Sequence, residues 1–252
     1  MQWTDQAIIL STRKYSDSSA IVTSFTLEHG LHKGLVRGVT NKNNRAIYMP
    51  GNKVDITWRG RLEEQLGNFQ AQLITPISAR CLESQLKLVV LCSVCSLVEC
   101  TLAERDPHQR LFQIVDMFLH ELKDSSHLQW LANYIRFEII LLSELGFRLS
   151  LDKCAATGGH ENLIYVSPKS GAAICAQAGE PYKDRLLALP QFLIDSNATK
   201  TVSELKNGLD LSTYFLNKYV FHPDQGTRYH KLPSARIRLG QVVAQTIAAE
   251  VL

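Results

Sequence analysis

The chain has 252 residues, 45% hydrophobic and 20% charged, a balance that excludes a disordered or fibrous protein and leaves room for a sizeable core. Its net charge of +3 is unevenly placed: residues 1–80 hold ten Lys/Arg against six Asp/Glu, and the remainder holds seventeen against eighteen. The excess in the first third points to a local anionic partner.

Residues 3–75 read as strands. Ala7–Leu10, Ala20–Phe25, Leu31–Val39, Val54–Trp58 and Phe69–Ile74 alternate or run apolar, with turns at Glu28-His29-Gly30 and Pro50-Gly51-Asn52. Five short strands in this length fit a small closed barrel of the OB type, which binds oligonucleotides across strands two and three; an SH3-like barrel has the same count. Between His29 and Val54 there is no Asp or Glu, but Lys33, Arg37, Lys42, Arg45 and Lys53 are all present, with His29 and His32 as further potential cations. Leu31, Lys33, Leu35, Arg37 and Val39 share one strand face, and His32, Gly34, Val36 and Gly38 the other. A basic strand running into a basic, Asn-rich loop offers fixed cations and amide donors to a phosphate backbone. We therefore expect Lys33, Arg37, Lys42 and Arg45, helped by Arg13 and Lys14, to form a DNA-binding surface. The alternative is a solvated edge strand decorated with charge against aggregation.

From Ile77 the period becomes helical. Ser78–Glu104 reads as one long helix. Asp106-Pro107 starts a second that runs to about Lys123, and a third spans about Ser126–Leu145 and stops at Gly146. Cys81, Cys92, Cys95 and Cys100 cluster in the first of these, the setting of reduced, buried thiols, and Cys92-Ser-Val-Cys95 lacks the partner pair of a metal site. No signal peptide precedes Trp3, and the run Leu88–Val98 is too short to span a bilayer, so a cytoplasmic protein with no membrane partner is expected.

Residues 151–180 break the helical pattern. Cys154 and Cys175 each stand first in what reads as a C-x-x-C pair of a zinc ribbon, but Thr157 and Ala178 occupy the second positions. A structural zinc wants four ligands, so no metal or other cofactor is expected. Thr201-Val-Ser-Glu204 is a capping box, Leu211–Phe221 is amphipathic, and Ser234–Val251 forms a last helix. Lys218, Arg228, Lys231, Arg236 and Arg238 give this end a second, weaker basic content. The sequence has no P-loop, no G-x-G-x-x-G after a strand, no G-x-S-x-G and no H-E-x-x-H, and the Glu63-Glu64 pair lies in a strand-to-strand loop. A binding protein, not an enzyme, is the expected class.

The order and spacing of several pieces resemble the bacterial recombination mediator and DNA repair family RecO: A-I-I-L-S-T-R-K-Y-S-D-S-S-A-I-V-T-S-F-T-L-E-H-G (7–30), L-V-R-G-V (35–39), P-G-N-K-V (50–54), R-F-E-I-I-L-L-S-E-L-G-F (136–147), L-D-K-C-A-A-T-G (151–158) and Y-V-S-P-K-S-G (165–171). The resemblance implies an α+β, multidomain chain. An OB barrel over 1–77 precedes a helical domain in two parts, 78–150 and 181–252, with a degenerate zinc-ribbon-like segment over 151–180. It also implies binding of single- and double-stranded DNA, strand annealing, and loading of the RecA recombinase onto DNA coated by single-stranded-DNA-binding protein. RecR and the tail of that coating protein are the implied partners, and Arg136 heads the motif where relatives hold the tail's carboxylate. Two rival readings are an interaction scaffold whose basic loop serves solubility, and a nucleic-acid enzyme with an unrecognised site.

Overall fold

Alternating burial along the first 75 residues shows how the barrel is made. In the computed structural model, which describes residues 1–39, 41–62, 64–122, 127–222 and 231–250, the strands are β1 (Gln2–Lys14), β2 (Ser19–Thr26), β3 (Gly30–Arg37), β4 (Lys53–Arg59) and β5 (Asn68–Thr75). β1–β2, β2–β3, β1–β4 and β4–β5 pair antiparallel, and β3 meets β5 in parallel at Leu35 and Asn68, closing an OB-like ring. Ala7, Ile9, Val22, Val36, Val54, Ile56, Trp58 and Phe69 point inward with Tyr48 as the core. Gly34 faces inward as well. A Cβ there would lie 2.5 Å from the Phe69 ring, so the core requires glycine at this position.

The basic stretch after β3 is not all loop. Helix α1 (Lys42–Ile47) interrupts it. Asn44 Nδ2 donates to Gly38 O at 3.2 Å, and Tyr48 just beyond the helix is buried in the barrel. Asn52 is buried and donates to Ala46 O (2.8 Å) and Ile47 O (3.3 Å), satisfying carbonyls left open at the helix end. Tertiary contacts make this short helix; six residues do not hold one alone.

The expected long helix is two: α2 (Ile77–Cys81) and α3 (Gln85–Thr101). Ser84, extended and with its side chain accepting from Lys87 N–H, caps α3 and resets the chain between them. α4 (Gln109–Glu121) starts two residues after Pro107, not at it, and packs on β2 through Phe25 and Phe112, whose rings meet at 5.5 Å and 63°. Burying an aromatic such as Phe25 contributes roughly 2–3 kcal/mol. Cys95 lies inside this packing, where burial pushes its thiol far above the ordinary range and Cys100 to about 12. Neither suits redox or metal chemistry, which needs the thiolate.

Contacts divide the chain into two units, residues 1–124 with 233–239, and 125–232 with 240–252. In the second, α5 (His127–Glu144) buries Trp130, Tyr134, Phe137 and Leu141 as its period requires. It ends at Gly146 (φ +89°), where Phe147 N–H returns to Leu142 O at 2.8 Å. A small sheet follows, β6 (Leu163–Val166), β7 (Ala173–Cys175) and β8 (Leu187–Ala188) in the order β7-β6-β8, with α6 (Ala176–Gly179) after β7. α7 (Val202–Tyr219) is capped by Thr201, which accepts from Glu204 N–H at 3.2 Å. The return half of that capping box is not made: Glu204 Oε1 instead accepts from Gln191 N–H at 3.1 Å. α8 covers Ser234–Glu250. Among the described residues no helix is long and apolar enough to cross a membrane. Lys123 and Ser126, the expected helix limits, and Glu63 of the acidic pair lie outside them.

Candidate nucleic-acid interface

The cations expected to act together are sorted by the barrel into three groups. Strand parity turns Lys33 outward, where its Nζ meets Glu104 Oε1 just past α3 at 2.5 Å. Arg13, near the end of β1, lies 3.3 Å from Glu99 Oε1, which also accepts from the hydroxyls of Ser11 (2.8 Å) and Thr23 (3.2 Å). Lys53 is likewise paired, with Asp116 Oδ2 at 2.7 Å. These three face carboxylates of the helical segment behind the barrel; Lys53 is the most buried and most committed, whereas the Arg13 side chain stays largely exposed.

Lys14 and Arg45 form the second group, on opposite walls of a groove of about 620 Å³ between the β1–β2 turn and α1. Ser16, Ser18 and Ser19 line it with hydroxyls, and its carboxylate, Asp17, is fully exposed and held by Lys14 at 3.1 Å. An exposed pair of this kind is weak, so Lys14 is easily turned to another anion. Lys42 begins α1 on the same loop, but its side chain lies outside the described residues.

Arg37 belongs to a third group. It ends β3 beside the barrel closure, where a groove of about 310 Å³ is lined by Leu35, Arg37, Thr57, Arg59, Asn68 and Gln70, with Phe69 at its base. Among the described residues no carboxylate pairs with Arg37, Arg45 or Arg59. Both grooves therefore carry arginines that no carboxylate among the described residues offsets.

His32 is not a reserve cation in the way the sequence implies. His32 points into the barrel among Trp3, Trp58 and Phe69 and is 3% exposed, with neither ring nitrogen hydrogen-bonded. Burial first, then the charges of Arg105 and His29, lower its pKa to about 4 against an opposing pull from Glu104, so it is neutral at pH 7. His29 stacks flat on Trp3 at 4.0 Å, with Nδ1 3.0 Å from Asp5 Oδ2.

In the second unit, Arg136 on α5 is half-buried. Its Nη1 donates to Asn133 Oδ1 (2.7 Å) and its Nη2 to Phe192 O (2.6 Å), and its guanidinium carbon lies 5.7 Å from the Phe192 ring centre. Lys218 of the C-terminal basic set donates to the carbonyls of Pro168 (2.6 Å) and Lys169 (3.0 Å). Arg236 is buried, and Arg228 lies outside the described residues. Within that set Lys218 is therefore already engaged and Arg236 is out of reach of solvent. In the ribbon-like segment, Cys154 Sγ accepts from Cys175 N–H at 3.3 Å, and Thr157 Oγ1 lies 3.9 Å from Cys175 Sγ. Burial opposes ionisation of Cys154, but hydrogen bonds from the Thr157 hydroxyl and the N–H groups of Cys175, Thr157 and Ala156 bring it down to about 6. His160 is turned elsewhere, its Nδ1 2.6 Å from Asp152 O.

Residues 1–77 match the family described as Recombination protein O N terminal, and residues 83–228 match Recombination protein O C terminal. The chain belongs to the RecO family. It is 42% identical over 240 residues to DNA repair protein RecO of Rhodospirillum centenum, covering 94% of this chain and 93% of that one. It is 41% identical over 223 residues to the protein of the same name from Sinorhizobium medicae, covering 88% of each. For Granulibacter bethesdensis the figures are 39% over 251 residues, 99% of this chain and 98% of that one.

For this RecO chain, reading the residues from 29 to 54 as one patch missed Arg59. Its signal is the alternation of β4, in which Lys53, Asp55, Thr57 and Arg59 all face outward, but no local feature links it to Arg37. That link is made only by the parallel closure of the ring.

Proposed function

We propose that this RecO-family chain is a non-catalytic recombination mediator of DNA repair. It binds single- and double-stranded DNA through its barrel and anneals complementary strands. Acting with RecR, it helps load RecA onto DNA coated by single-stranded-DNA-binding protein, in the cytoplasm at the nucleoid. The observation that carries the DNA reading is the pair of grooves in which Arg37 with Arg59, and Lys14 with Arg45, stand unmatched by any buried carboxylate. Lys42 is assigned to the same surface, with Arg13 and Lys33 as outlying contributors. Arg136 is assigned to the coating protein's acidic tail, whose carboxylate its fork suits.

The test is anisotropy titration of a labelled single-stranded oligonucleotide across a range of salt, alongside annealing of complementary strands. Arg37→Ala with Arg45→Ala is expected to weaken binding to all sequences alike. It should also flatten the log–log salt slope by about 0.7 for each phosphate no longer neutralised. Wild-type protein that binds no oligonucleotide at low salt would overturn the reading in favour of a scaffold. An unchanged slope in the double variant would move the surface elsewhere.

A further inference from the structure

The groove at the barrel closure is built for more than phosphate. Its lining holds two guanidinium groups, two carboxamides, one hydroxyl, one aliphatic side chain and the Phe69 ring. A sugar–phosphate chain alone uses cations and N–H donors, and the NH2 of a carboxamide can serve it, but the carboxamide oxygen cannot. Each carboxamide does add one acceptor and two donors in a fixed plane, which is the complement of a base edge. Asn68 and Gln70 are two apart on β5, so both project from its outer face, about 7 Å apart along the strand. They stand opposite Arg59 and Thr57 respectively, and Asn68 also stands opposite Leu35 across the parallel closure.

The Thr57 hydroxyl is already shared with Thr4 at 3.0 Å, whereas neither carboxamide has a hydrogen-bond partner among the described residues. Arg37 and Arg59, one from each side, supply planar cations that both pair with phosphate and stack on bases. At about 310 Å³ the groove has the size of the smallest ligand pockets, roughly 300 Å³, and not of a duplex channel. Its far limit is chemical: one step further along the ladder Gln72 faces Asp55, a carboxylate that repels the backbone.

We infer that this groove is a base-reading subsite for single-stranded nucleic acid, in which Asn68 and Gln70 bond to the edge of an unstacked base while Arg37 and Arg59 hold the flanking phosphates. The inference rests on the nucleic-acid reading above and adds to it an interaction that depends on bases as well as phosphates.

The experiment compares a labelled oligothymidylate with a chain of the same length and phosphate count that lacks bases, each titrated at two salt concentrations. Wild-type protein is expected to bind the intact strand about tenfold more tightly. Asn68→Ala with Gln70→Ala should remove most of that difference, with affinity for the base-free chain and the salt slope unchanged. Both residues are exposed, and circular dichroism is used to check that the variant is folded. Equal affinity for the two strands in wild type, or a base-dependent difference that survives the double substitution, overturns the subsite and leaves phosphate binding intact. Failure to bind either strand overturns the subsite together with the DNA reading.

Discussion

The imidazole of His32 stands edge-on to the indole of Trp58, with ring centres 5.3 Å apart and planes at 78°, inside a barrel that gives neither of its nitrogens a partner. Protonation there has to be done in an apolar interior, and it is opposed further by Arg105 and His29. The folded pKa of about 4 lies below the unfolded value of 6.5. The stability that neutral His32 confers is therefore fully present above pH 6.5 and is lost as pH falls from there toward 4. The total is roughly 3 kcal/mol at about 1.4 kcal/mol per pKa unit. Urea unfolding followed by tryptophan fluorescence between pH 7 and 4 should show this loss. His32→Leu should show a flatter dependence over the same window, and an identical profile would refute the assignment.

Arg13 and Lys33 are matched by Glu99 and Glu104, so they differ from the groove arginines in what their removal does. Arg13→Ala and Lys33→Ala should each lower the salt slope of oligonucleotide binding by less than Arg45→Ala does. Arg45→Ala should lower it by about 0.7. Equal effects from all three would mean that the ion pairs at Glu99 and Glu104 open to admit phosphate.

Arg136 already serves its own unit through Asn133 and Phe192. Arg136→Ala should therefore lower thermal stability by about 1–3 kcal/mol, the worth of its charged hydrogen bonds. It should also weaken binding of an acidic tail peptide, measured by anisotropy below the variant's melting temperature. Reduced stability with unchanged peptide affinity would assign the residue to structure alone.

On the zinc-ribbon reading of residues 151–180, Thr157 stands where a second thiolate is wanted. Thr157 sets its side chain near Cys175 and donates to Cys154. Elemental analysis of protein purified without a tag or chelator should find far less than one zinc per chain. Thr157→Cys combined with Ala178→Cys should bring zinc to near one per chain. Stoichiometric zinc in the natural sequence, lost on replacing Cys154 or Cys175, would refute this expectation.

Much of the barrel was legible because alternation is a local signal: the inward set His32, Gly34 and Val36 follows from parity alone. The helix stop at Gly146 was legible because a glycine just past an apolar helical period is also a local signal. What escaped depends on residues far apart in sequence. The carboxylates that claim Arg13 and Lys33 come from the helical segment, more than 70 positions away. Helix α1 has no apolar period and exists because Tyr48 and Asn52 anchor it. The break before α3 carries no Gly or Pro, only the serine that caps the next helix. Parity also placed His32 correctly while its composition-based reading as a cation was wrong, since charge depends on surroundings that one strand does not reveal.

The closure at Leu35 and Asn68 sets an order in which the barrel can open. Each antiparallel ladder carries seven or eight register pairs, and the parallel one carries a single pair. The Leu35 amide, bonded to Gly67 O at 3.0 Å, is thus exposed by an opening that leaves the other ladders zipped. Its hydrogen exchange should report a smaller free energy than the amides of Val22 or Ile56. Anything seated across Arg37 and Asn68 ties β3 to β5 over that clasp, so occupancy of the groove is written into the exchange rate of one backbone proton.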